Sequence, residues 1–235
     1  DGLSPASSDR YLALLRHVCA VSVVDHELLE KNPCKGVKQF NPDNKVNHFL
    51  NEEDMKRLVT TLNTHKNRTV CLILLFALST GMRIGEVLKV RRSDLDLERK
   101  LLQIPAHHAK GKRSRTVPLN QAALDAIAKA DSQGKEYLWI NKRTGKPFVS
   151  LRHAWQSIRK AAGLPHLRIH DLRHQFASHL MNQNVSPAIV QELMGHAQIT
   201  TTISRYSHLS TERLSIESNR VADAINSAME AETSA

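Results

Sequence analysis

The sequence predicts an α+β fold, predominantly helical, with a small three-stranded antiparallel sheet. Two observations carry this. In the 235-residue chain, apolar residues such as Leu12, Leu15, Val18, Cys19 and Val23, and again Leu58, Val59 and Leu62, recur at three- and four-residue spacing, the period of one helix face. Three short runs, Leu101-Leu102-Gln103-Ile104, Arg115-Thr116-Val117-Pro118 and Tyr137-Leu138-Trp139-Ile140, read instead as strands. They lie mid-chain with helical segments on both sides.

In chain order, Ser8-Asp9 is read as the cap of a first helix with apolar positions Leu12, Leu15, Val18, Cys19 and Val23, and Asn32-Pro33 as the end of that segment. Lys38 to Val46, containing Asn41-Pro42-Asp43-Asn44, reads as a linker. Asn51 followed by Glu52, Glu53 and Asp54 predicts a helix start, because an acidic first turn meets the positive end of the helix dipole. Leu58, Val59 and Leu62 supply its inner face. The run Val70 to Leu78 is far below the ~20 residues that a membrane span needs, so it reads as a buried core helix. That helix stops near Thr80-Gly81, where glycine can adopt the left-handed cap. Arg83 then opens a short helix, Ile84 to Lys89, and a basic turn joins the first two strands. Helices resume at Ser150 to Ala162, His170 to Met181, Ser186-Pro187 to Met194 and Glu212 to Met229. No internal repeat or low-complexity tract interrupts them.

Lys and Arg total 33 against 23 acidic residues, a formal charge of +10 that suits a polyanionic partner. Cys19, Cys34 and Cys71 have no paired spacing, so neither a disulfide framework nor a four-cysteine zinc site is expected, and a reducing cytoplasm is the natural compartment. The chain begins at Asp1 without a basic-then-apolar leader, which reads as part of a longer protein with no visible secretory signal.

The chemistry lies in five separated motifs: Thr80-Gly81-Met82-Arg83-Ile84-Gly85-Glu86, Lys110-Gly111-Lys112-Arg113-Ser114-Arg115, His170-Asp171-Leu172-Arg173-His174, Gly195-His196 and Arg205-Tyr206-Ser207-His208-Leu209. Planar guanidinium groups hold two nonbridging phosphate oxygens with a fixed fork of donors, which suits Arg83 and Arg173 to phosphodiester chemistry. A histidine titrates near pH ~6.5 and can accept or donate a proton at neutral pH. A phenol of pKa ~10 must be driven toward phenolate by a cationic pocket before it attacks. His170, His174 and His179 share a helical spacing, but no His-Glu-x-x-His or carboxylate cluster accompanies them, and no metal site is expected.

The order Arg83, Lys110, His170-x-x-Arg173, His196, Tyr206 resembles the tyrosine recombinases of the phage integrase family. Phe49-Leu50-Asn51-Glu52-Glu53 and Arg115-Thr116-Val117-Pro118-Leu119 extend the likeness. The resemblance implies an integrase-type catalytic domain over residues 48–235, a linker at 38–47, and in residues 1–37 the last helix of an N-terminal DNA-clasping domain. It implies that Arg83 and Arg173 hold the phosphate, Glu86 steadies the site, and His170 and His196 bond the phosphate and help deprotonate Tyr206, the nucleophile. Lys110, with Lys112 as the alternative, would protonate the departing 5′ oxygen. Lys112, Arg113 and Arg115 crowd the basic turn and are expected to touch backbone phosphates.

The implied reaction breaks and rejoins double-stranded DNA through a 3′-phosphotyrosyl link, with no cofactor and no metal, by a monomer that forms a tetramer on DNA. The implied setting is the cytoplasm of a bacterium, or a phage, and no membrane is involved. A type IB topoisomerase shares this chemistry, and a DNA-binding protein whose catalytic residues are unused is a third reading. In one respect the chain departs from the family's commonest pattern: Tyr206 follows His196 by ten positions rather than nine.

Overall fold

In the computed structural model, which describes residues 2–42, 49–107, 114–130 and 134–195, the first helix, α1, spans Pro5–Val24. It starts earlier than Ser8-Asp9. Ser4 is the cap, its side chain accepting from the Ser7 N–H, and Pro5 fills the first turn, where a missing N–H costs nothing. The helix also ends at Val24, well before Asn32-Pro33. No α1 residue is buried, and Leu15 and Val18 from the expected inner face are exposed. Polar bonds fasten the following loop to it instead: Arg16 Nε donates to the Cys34 carbonyl at 3.1 Å, and Asn32 Nδ2 to the Arg16 carbonyl at 2.8 Å.

Contacts divide the chain into two compact units, Asp1–Asn47 and His48–Ala235. The larger begins with α2, Glu52–Thr64, capped as expected by Asn51, whose side chain accepts from the Asp54 N–H at 2.8 Å. Leu58 and Leu62 are its fully buried positions. Next comes α3, Arg68–Thr80, with eight of its thirteen residues buried. Such an all-round apolar helix is the core of its unit, and α2 and the later helices Gln121–Ala128 and Ile169–Asn182 pack on it. Phe76 of α3 meets Trp139 edge-on, with ring centroids 5.5 Å apart.

Gly81 ends α3 with φ +64, and α4, Ile84–Val87, follows at once. A 3-10 turn, Arg92–Asp94, leads into β1, Leu95–Asp96, then β2, Leu101–Ile104, and β3, Arg115–Pro118. These three form an antiparallel sheet in the order β1-β2-β3, with Leu95 opposite Leu102 and Ile104 opposite Arg115. The third strand is therefore not Tyr137–Ile140. A local hairpin, closed where Asp96 Oδ1 accepts from the Arg99 N–H and Lys100 takes φ +56, completes the sheet at less loop entropy than a distant partner would need. Tyr137 makes an isolated bridge to Arg91, and Leu138 and Trp139 are both buried in the core. Ile140–Asn141, β4, pairs with Lys146–Pro147, β5, in a separate ribbon.

One further helix, α5 at Gln121–Ala128, is legible only in the fold: four alanines on so short a helix give a weak apolar period. Asn120 caps it and donates to the Ser79 carbonyl at 2.8 Å, which fixes α5 to the end of α3. The remaining helices are α6, Arg152–Ala161, α7, Ile169–Asn182, and α8, Pro187–Met194. They lie within one or two residues of expectation. The helix expected at Glu212 to Met229 lies outside the described residues.

A Cβ added at Gly81 would sit 2.3 Å from Phe176 Cδ1 of α7, on a backbone that L side chains rarely adopt. Gly81→Ala is therefore expected to lower unfolding free energy by about 3 kcal/mol or more, backbone strain adding to overpacking. Urea denaturation checks this, and a variant as stable as wild type would dismiss the close packing of α3 on α7.

Candidate active site

The turn after α3 places the first arginine. Thr80 Oγ1 closes the helix on the Phe76 carbonyl at 2.6 Å, Gly81 reverses the backbone, and Arg83 becomes the cap of α4. Glu86, one helical turn on, accepts from the Arg83 backbone N–H at 3.3 Å and from its Nη1 at 3.2 Å. Glu86 thus holds Arg83 at both its backbone and its guanidinium. Its Nη2 reaches the Gly195 carbonyl at 3.5 Å.

The start of α7 places the second arginine. Trp155 Nε1 donates to the Leu167 carbonyl at 3.0 Å, and the next residue, Arg168, caps the helix with Asp171, which is 1% exposed. Backbone N–H, Nε and Nη2 of Arg168 all donate to the Asp171 carboxylate. One turn further, Arg173 is buried, with Nη1 donating to the Gly81 carbonyl at 2.8 Å and Nη2 to the Met194 carbonyl at 2.6 Å. Two of the donors expected to fork a phosphate are thus engaged with backbone.

Arg83 and Arg173 consequently converge on consecutive carbonyls, Gly195 and Met194, at the end of α8. Gly195 takes φ +62 there, a left-handed cap that turns the chain immediately before His196. His170 sits exposed near the start of α7, its ring meeting His174 edge-on at 4.9 Å between centroids. Lys110, Lys112, Arg113, His196 and Tyr206 lie outside the described residues, so their placement relative to Arg83, His170 and Arg173 belongs to the proposal below.

Arg115 takes a place that its basic surroundings did not announce. Its side chain is 14% exposed and turned inward from the start of β3, with Nη1 donating to Glu86 Oε1 at 3.2 Å and Nη2 to Oε2 at 2.8 Å. Glu86 and Arg115 lie 29 residues apart, with no spacing that could pair them in sequence. Among the described residues, Arg115 Nε is buried without a hydrogen-bond partner. No group of three or more His, Cys, Asp or Glu side chains is arranged to hold a metal ion, and no helix is long and apolar enough to cross a membrane, among the described residues.

Burial pushes the Glu86 carboxyl upward, but hydrogen bonding and charge from Arg115, then from Arg83, outweigh it and hold the group below its ordinary value. A depressed folded-state value stabilises the fold above the unfolded glutamate range and loses that contribution as pH falls through the lowered value. Relative to Glu86→Gln, wild-type stability should therefore hold from pH 7 down to about 4.5, where a free glutamate takes up its proton, and decline below it toward the lowered value. Melting temperatures of the two proteins across that range test it, and parallel curves would refute the ionised reading.

The phage integrase family model matches residues 48–213. The chain is 32% identical over 208 residues to tyrosine recombinase XerC of Bacillus pumilus, covering 80% of this chain and 66% of that protein. It is 30% identical over 171 residues to tyrosine recombinase XerA of Thermococcus kodakarensis, covering 70% and 59%. With the integrase of Salmonella phage P22 it shares 28% over 228 residues, covering 92% and 57%. It thus spans two thirds or less of the length of these relatives. Among solved structures, the Tn1549 transposon integrase bound to circular intermediate DNA superposes with a TM-score of 0.77 at 18% identity, over 94% of this chain and 80% of that one. The catalytic domain of bacteriophage HP1 integrase gives 0.53 at 27% identity, over 71% and 90%. With a family match over more than half its length and an integrase fold to go with it, the chain belongs to the phage integrase family.

Proposed function

We propose that this chain is the catalytic part of a site-specific DNA recombinase that cuts and rejoins strands through a covalent tyrosine intermediate. The observation that carries it is the convergence of Arg83 and Arg173 on the two carbonyls that precede His196, with Glu86 orienting Arg83. Three motifs remote in sequence meet at one cationic spot, which suits a phosphate whose nonbridging oxygens gain charge during attack. The relatives named tyrosine recombinases, and neighbours solved with DNA such as the Tn1549 integrase and the XerH recombinase on its difH substrate, support the same reading.

In this mechanism the Tyr206 oxygen attacks the scissile phosphorus while His170 and His196 bond the phosphate and help remove the phenolic proton. Arg83 stabilises the charge that develops, and Arg173 sets the carbonyl frame around it. The bond from phosphorus to the 5′ oxygen breaks as Lys110 supplies a proton, leaving a 3′-phosphotyrosyl link and a free 5′ hydroxyl. A second 5′ hydroxyl reverses the step on a new partner. Because the ester to tyrosine conserves the energy of the phosphodiester, the cycle needs neither nucleotide nor metal. Residues 1–37 act as the remnant of a DNA clamp and 38–47 as its linker to the catalytic domain, 48–235. Lys112 and Arg113 contact backbone phosphates, and four copies assemble on the DNA from monomers in the cytoplasm.

Tyr206→Phe is expected to keep DNA affinity and form no covalent adduct on a nicked suicide substrate run on a denaturing gel. An adduct in the Phe variant would move the nucleophile to another residue, and strand relaxation without exchange would favour the topoisomerase reading. Arg83→Lys keeps the charge and loses the fork, so cleavage at saturating DNA should slow by about 10²-fold. An unchanged rate would dismiss the clamp. Affinity should also fall steeply with salt, by about 0.9 counterion for each phosphate contact. A salt-independent constant would argue against the basic surface.

A further inference from the structure

We propose that Arg115 is a positioning residue for Arg83: by occupying the Glu86 carboxylate it keeps the Arg83 guanidinium on the open side of the site. This rests on the recombinase reading for its activity readout and on geometry alone for the rest. Glu86 is nearly fully buried, with a side chain 4% exposed, and two cations share its one charge. They do not share it equally. Arg115 meets the carboxylate end-on, one Nη to each oxygen, at 3.2 and 2.8 Å, which is the strong bidentate arrangement. Arg83 reaches the carboxylate with one side-chain donor at 3.2 Å and remains more exposed, 26% against 14%. Two positive charges against one negative leave a unit of positive charge in the pocket, and the more exposed Arg83 presents it outward. Without Arg115, Glu86 would be a buried carboxylate with Arg83 as its remaining described cation, and burial would draw Arg83 in to pair with it.

A second observation is independent of charge. A Cβ at Gly195 would lie 2.6 Å from both Cδ and Nε of Arg115. The turn before His196 therefore packs directly on the Arg115 side chain, and glycine is the residue that permits this approach. Arg115 is also paired with Ile104 at the mouth of the hairpin that carries Lys110. It thus touches or adjoins three segments that the mechanism must hold in register: the cap of α4, the turn after α8, and the β2–β3 hairpin. A side chain projecting from the hairpin toward DNA, as the sequence led us to expect of Arg115, would make neither the Glu86 bonds nor the Gly195 contact.

The test is a double-mutant cycle in the full chain: wild type, Arg115→Met, Glu86→Gln and the double variant, with Arg115→Lys as a conservative control. Cleavage of a suicide substrate at saturating DNA should fall by about ten-fold or more in Arg115→Met. Adding Glu86→Gln should recover much of that loss, because a neutral amide no longer draws Arg83 inward. Arg115→Lys, which keeps the charge without the fork, should lie between. The second measurement is the rate at which phenylglyoxal modifies Arg83, read by peptide mapping. It should drop in Arg115→Met and return in the double variant, whereas simple loosening of the fold would raise it. Additive cleavage losses in the double variant, or Arg83 reactivity that rises or stays level, would overturn the proposal. So would a shallower salt dependence of DNA affinity with cleavage at saturation unchanged, which would restore Arg115 to a backbone-phosphate contact. If wild type forms no adduct, the recombinase reading fails, and the Arg83 reactivities still decide the role of Arg115.

Discussion

A buried guanidinium ties the helices of the larger unit together. Arg173 takes its place under the site by donating to Gly81 and Met194, so that the ends of α3 and α8 are drawn to one cation. Both are helix C-termini, where unpaired carbonyls carry the negative end of the helix dipole. The charge of Arg173 is therefore met by two oriented backbones, and the same bonds satisfy carbonyls that would otherwise be left at the helix ends. Lysine could supply the charge but not two divergent, coplanar donors, which is why the position demands arginine beyond any contact it makes with a phosphate.

The rest of the site is arranged around that anchor. Gly81 must be glycine twice over, for its positive φ and for Phe176 against its Cα, and the resulting reversal delivers Arg83 two residues later. Gly195 plays the matching part at the end of α8, with Arg115 pressed on it. Two left-handed glycines thus bring two chain reversals to opposite sides of one guanidinium. Such turns are stiff only because their surroundings pack against them; the backbone freedom that lets glycine adopt them would otherwise leave them loose.

Electrostatics then divides the labour. Glu86 is held ionised against its own burial by Arg115 and Arg83, and the pocket keeps an excess of positive charge. Preorganised charge of this kind needs no rearrangement as negative charge grows on a substrate, which is the main way that protein dipoles and cations accelerate phosphoryl chemistry. The carboxylate fixes the direction of the cations that surround it.

Much of this was legible in the chain. Asn51 with its acidic first turn, the apolar run of α3, the Gly81 stop and the β2 and β3 strands all follow from local physics: capping, helix period and conformational freedom act within a few residues. The motif residues and their order likewise identified the family. Other features depended on partners the chain does not reveal locally. β1 displaced Tyr137–Ile140 because a hairpin with a close neighbour costs less entropy than a distant pairing, and Leu138 and Trp139 were taken by the core. α1 has the period of a buried helix, yet none of its apolar positions is fully buried in its own unit. Arg115, one cation among several in a basic turn, was turned inward by a carboxylate 29 residues away. Residue type and near neighbours were enough to name the family and to place most of the helices, α5 excepted. Which arginine pairs with Glu86 and which carbonyls hold Arg173 emerge only from the packed fold, because a buried charge takes whichever partners the packing of remote elements brings within hydrogen-bonding distance.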